Sequence, residues 1–77
     1  MDKYLAVMID KLSNKELDSD IIEDTRTEWV KEHDDPCYNG VGRHLMFKAV
    51  DHFRDKRPEI NKGWYVDMVL LDKENLQ

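Results

Sequence analysis

Trp64-Tyr65-Val66-Asp67-Met68-Val69-Leu70-Leu71 is the stretch on which the fold class turns. Read as a helix, Ile60, Trp64, Met68 and Leu71 share one face. Read as a strand, its Trp, Tyr and Val suit a pleated, half-buried surface. Gly63 weakens any helix that runs on from Pro58. The mate of a C-terminal strand would be the other end of the chain, where Leu5-Ala6-Val7-Met8-Ile9 is a continuous apolar run and Tyr4 to Ile9 reads as a strand. The same residues also form a helical stripe, because Tyr4, Leu5, Met8, Ile9 and Leu12 fall on one face with Asp2 as N-cap. The helical reading of both ends predicts an all-α fold, a small bundle of three or four helices. The alternative is α+β, with short terminal strands pairing.

Between these ends the helical signals are stronger. Residues 14–33 place Leu17, Ile21, Thr25 and Trp29 four apart, with Ile22 and Val30 beside them. Ser13 followed by Glu16 has the form of a capping box, in which the hydroxyl takes an early amide and the carboxylate reaches back. A helix over 14–33 would have one apolar face and one strongly acidic face, with both Trp29 and Trp64 packed into the core. Asp34-Asp35-Pro36 ends it, since the residue before proline is pushed out of α geometry. Residues 34–42 read as a loop, with a turn at Asn39-Gly40. Residues 43–55 resume helical spacing through Leu45, Met46, Ala49, Val50 and Phe53.

The chain has 77 residues, enough for a single small domain over 1–77. A domain of this size buries only about 60% of its unfolded surface, which leaves little interior for a deep catalytic pocket. With 40% apolar residues it is nonetheless expected to fold. Cys37 is the only cysteine, so no internal disulfide forms, and a reducing compartment is expected. No run approaches 18 apolar residues, as a spanning helix would need. The run Leu5–Ile9 is too short for the apolar core of a signal peptide. The expected location is the cytoplasm.

The charge is unevenly spread. Residues 16–35 hold nine acids against Arg26 and Lys31, a net of −7. Residues 43–62 hold Arg43, Lys48, Arg54, Lys56, Arg57 and Lys62 against three acids, a net of +3. Such asymmetry either steers a partner or joins the two halves of one fold.

Motifs of reactive chemistry are weak. His33, Cys37, His44 and His52, with Asp34 and Asp35, are the candidate metal ligands, but their spacing matches no structural zinc pattern. Asp18-Ser19-Asp20 opens like a calcium loop, yet Ile22 and Glu23 stand where an oxygen ligand and glycine are needed. His33-Asp34 lacks the upstream His that the HD phosphohydrolases require. Cys37 as a nucleophile would need a base and an oxyanion hole, and His33 or His44 is the only base in view. Gly40-Val41-Gly42-Arg43-His44 precedes a helix start and has the form of an anion-binding turn, without the residues of a P-loop or dinucleotide fingerprint. No catalytic residue, metal or cofactor is assigned.

The function expected is therefore binding: a small acidic, non-enzymatic module that inhibits or adapts a protein partner. The contact residues expected are Asp20, Glu23, Asp24 and Glu28 on the acidic helix, with Trp64 or Tyr65 as an apolar anchor. Carboxylates along a helix can imitate a phosphate row, so a nucleic-acid-handling protein is one fitting target. Size and acidity are also similar to those of the small inhibitors that bacterial viruses direct at host proteins. The alternative is a nucleic-acid-associated regulator using the basic stretch 43–62; the sequence pI of about 5.0 argues against direct nucleic-acid binding.

Overall fold

The computed structural model describes residues 2–36 and 40–72, with Asp72 as backbone only. Its elements run β1 (Lys3–Asp10), β2 (Glu16–Glu23), α1 (Glu28–His33), α2 (Arg43–Lys56) and β3 (Trp64–Asp72). The strands form one sheet in the order β2-β1-β3, antiparallel throughout. The all-α bundle is thereby overturned: the chain is a three-stranded antiparallel sheet with two helices. The two terminal segments do pair, over Tyr4↔Leu70 to Asp10↔Trp64, and β2 joins them as a third strand.

The helical stripe of residues 3–12 failed because a continuous apolar run satisfies every period at once. β1 is the central strand, hydrogen-bonded along both edges, and its successive side chains point to opposite faces of the sheet. Ala6 and Met8 lie on one face, fully buried. Leu5, Val7 and Ile9 lie on the other, half-buried. Leu12, which completed the supposed stripe, is 95% exposed.

The helix over 14–33 is likewise corrected. Ser13 caps nothing: its N–H and hydroxyl both donate to Asp10 Oδ2 at 2.8 Å, closing the turn between β1 and β2. Asn14 takes a left-handed φ of 59°, which asparagine tolerates better than most residues. Glu16 then pairs with Ile9 as β2 begins, next to a bulge in the register. The acids of this segment alternate with a period of two, so Asp18, Asp20 and Ile22 share a face. Only Glu28–His33 is helical, capped by Thr27, whose hydroxyl oxygen accepts the Val30 N–H at 3.2 Å. Trp29 is not in the core; it is 66% exposed and stacks on His33 with ring centroids 4.2 Å apart.

The expected helix over 43–55 is α2, and the spacing read from the sequence is the face it buries: Leu45, Met46, Ala49 and Phe53. They meet Ala6, Met8, Ile22, Val66 and Met68 in one core cluster. Each of these larger side chains contributes on the order of 1.5–3 kcal/mol. Trp64 packs against the edge of the cluster. No described helix is long and apolar enough to cross a membrane.

Candidate functional site

Two ion-pair networks and a cleft stand out among the described residues. The first network lies where β2 leads into α1. The Asp24 side chain is 1% exposed, and its carboxylate receives Arg26 Nη2 at 2.6 Å and Nε at 2.8 Å. Arg26 Nη1 also reaches Asp34 Oδ2 at 3.3 Å. Asp34, whose side chain is 2% exposed, accepts the backbone N–H of His44 at 3.0 Å. The His44 Nδ1–H donates to its other oxygen at 2.8 Å, since an ionised carboxylate can only accept. Burial raises the Asp24 and Asp34 pKa values, but hydrogen bonds from Arg26, and from His44 at Asp34, outweigh it and hold both below 3.8. The arginine is shifted up in turn, chiefly by its bond to Asp24.

The anion-binding turn read at Gly40–His44 therefore meets an anion from the chain itself. Gly42 offers α2 no side-chain cap, and the Asp34 carboxylate supplies one. A Cβ on Gly42 would collide with that carboxylate and with Arg26 Nη1, so glycine is required by close approach.

The second network joins β2 to the end of α2. Lys56 Nζ reaches Asp20 at 2.7 Å and Asp18 at 3.2 Å. His52 Nε2–H donates to Asp20 at 2.8 Å, and Arg57 reaches Asp18 at 3.3 Å. The Asp20 carboxyl is shifted down, first by His52 and then by Lys56; the Asp18 carboxyl is shifted down, first by Lys56. Lys56 is held up by Asp20 and Asp18. The charge asymmetry of the sequence thus joins the two halves of the fold.

The four acids expected on one helix face do not form one surface. Asp20 sits in the second network and Asp24 in the first. Glu23 is exposed at the end of β2, and Glu28 is exposed on α1, 3.8 Å from Lys31. The metal candidates are also apart: His33 Nδ1–H donates to the Trp29 carbonyl, while His44 and His52 hold Asp34 and Asp20. Among the described residues no three such side chains converge on a metal position. Cys37 and Asn39 lie outside the described residues.

Trp64 and Tyr65, the expected anchors, do line a common site. An open cleft of about 490 Å³ lies between α2 and the start of β3. Met46, Val50 and Arg54 form its helical wall, and Trp64, Tyr65 and Val66 its strand wall. Asn61, Lys62 and Gly63 close one end, where Lys11 arrives from the β1–β2 turn. The Lys11 N–H donates to the Gly63 carbonyl at 2.9 Å, which fixes that approach. Trp64 Nε1–H donates to the Ile60 carbonyl at 2.9 Å, so the indole is held in place. Three of the lining residues are cations and none is an acid.

No family model, curated protein or solved structure matches the chain. Sequence reasoning missed Lys11, Met46 and Val50 as site residues. Met46 and Val50 were read as core, and they do pack there while also presenting to the cleft. Lys11 carries no sequence signal for its role, because only the return of β3 beside the hairpin turn brings it to Gly63.

Proposed function

We propose that the chain is a non-enzymatic cytoplasmic binding module that docks on a protein partner and adapts or inhibits it, with Trp64 and Tyr65 at the centre of contact. The observation that carries this reading is the cleft itself. It sets a fixed indole and a tyrosine beside the half-buried Val50 and three cations. Aromatic residues in partly desolvated pockets dominate contact energetics. Asp20 and Asp24 are taken up in internal pairs, and Glu23 stands opposite Lys3 at the end of the sheet away from Trp64, so these acids lie apart from this contact.

The nucleic-acid alternative draws on the same place, because Arg54 and Lys62 of the basic stretch stand beside aromatic rings that can stack on bases. The net charge of −5 opposes it.

Capture on the immobilised full chain, from lysate of its source cell and with salt-gradient elution, separates the two. The expected result is one protein retained by the native chain and lost from a Trp64→Ala, Tyr65→Ala variant that still folds. Retention of nucleic acid alone, or of no specific macromolecule, would overturn the proposal.

A further inference from the structure

We propose that the cleft takes an extended acidic segment of the partner, with an apolar side chain seated on the half-buried Val50, Trp64 and Tyr65 and carboxylates on Arg54, Lys62 and Lys11. This deepens the binding-module reading and rests on it.

The cleft is polarised along its length. Met46, Val50 and Arg54 recur every four residues on one side of α2, a stripe about 12 Å long at 1.5 Å per residue. Met46 is 3% exposed, so the part of the stripe open to a ligand runs from Val50 to Arg54, about 6 Å or two residues of extended chain. The first two members of the stripe are apolar and the last is cationic. The cationic end is the one that leads through Lys62 and Gly63 into β3, and Lys11 joins it there through its bond to Gly63. Arg54 already holds Asp51 at 3.0 Å, but both side chains are about two-thirds exposed. Such a pair is weak and exchangeable for an incoming carboxylate.

Charge decides the class of occupant. Among the described residues no acid lines the cleft, although the chain as a whole is net negative. A short acidic segment would touch only this cationic pocket. A nucleic-acid strand would extend beyond it, toward the carboxylates of the remaining surface, and be repelled. The indole is pre-positioned by Ile60, which limits the ordering cost of binding.

The test uses the full chain carrying Trp29→Phe, which leaves Trp64 as the sole tryptophan and its emission as the readout. The probes are an acetylated hexapeptide alternating Leu and Glu, its counterpart with Gln in place of Glu, and a hexathymidylate. The expected result is a saturable change in emission with the Glu peptide that weakens as salt rises. Binding should fall by about tenfold or more with the Gln peptide, and equally in an R54E, K62E variant with an unchanged circular dichroism spectrum. No binding of the Glu peptide, equal binding of both peptides, indifference to the charge reversal, or preference for the oligonucleotide would each overturn the inference. A partner captured equally by the native chain and the charge-reversed variant would remove the acidic-segment inference and leave the binding module standing.

Discussion

The Asp34 carboxylate caps a helix that begins well downstream of it: it accepts the backbone N–H of His44, ten residues further on, at 3.0 Å. The same carboxylate takes the His44 ring and the Arg26 guanidinium, so one buried side chain joins the exit of β2, the end of α1 and the start of α2.

Removal of this cap should therefore loosen the whole arrangement. Asp34→Ala is expected to lower the thermal midpoint by roughly 5–10 °C, followed by circular dichroism at neutral pH. Asp34→Asn retains an acceptor for the His44 N–H and should lose less. A midpoint within roughly 2 °C of the native chain would mean that the cap is dispensable.

Arg26 is the partner whose loss should cost most. Asp24 is 1% exposed on its side chain and would be left as an unpaired buried charge in Arg26→Met. The expected destabilisation is about 3 kcal/mol, read as a shift in the urea midpoint. The Asp24 pKa should rise at the same time, since burial would then act without the arginine to oppose it. Stability close to native would show that the guanidinium contributes little.

Acid should unfold the domain in a defined window. Asp18, Asp20, Asp24 and Asp34 all have folded-state pKa values below the ordinary 3.8. A depressed carboxyl contributes stability that is fully present above its unfolded value and is lost as pH falls through the folded one. These four groups should therefore add no pH dependence to the urea midpoint from pH 7 to about 5, and the midpoint should fall steadily below about 4. A midpoint that rose on acidification below 4 would contradict the ion-pair networks.

Gly42→Ala is a test of close approach. Gly42 has an ordinary φ of −68°, so alanine is conformationally acceptable there. Its methyl would nonetheless meet Asp34 and Arg26, and a loss of roughly 1–3 kcal/mol is expected from the forced shift. A neutral outcome in urea denaturation would show that the network moves aside freely.

The two large aromatics Trp29 and Phe53 should behave oppositely to their size. Trp29→Ala removes an exposed ring and is expected to change stability by less than about 0.5 kcal/mol. Phe53 is 0% exposed, and Phe53→Ala should cost roughly 3–5 kcal/mol, much of the stability of so small a domain. The two urea curves measured side by side decide this, and similar losses would contradict the placement of Trp29 outside the core.

The sequence by itself determined α2, because Leu45, Met46, Ala49, Val50 and Phe53 carry only one period, and a helix is the structure that buries them together. Trp64 and Tyr65, singled out as anchors in the sequence, both line the cleft. The sequence did not determine β1, because a continuous run such as Leu5–Ile9 fits helix and strand alike until pairing with β2 and β3 settles it as a strand. It pointed the wrong way at β2. There Leu17, Ile21, Thr25 and Trp29 happen to stand four apart, and Asp18 and Asp20 resemble a solvated helix face until Lys56 and His52 are brought against them. The acidic patch, the metal candidates and the glycine turn all changed meaning for the same reason. A carboxylate or imidazole has no fixed role until its partner is known, and here the partners range from Arg26, two residues from Asp24, to Arg57, 39 residues from Asp18. The cleft is likewise a product of tertiary structure: Lys11, Arg54 and Lys62 line it together only when β3 returns antiparallel to β1.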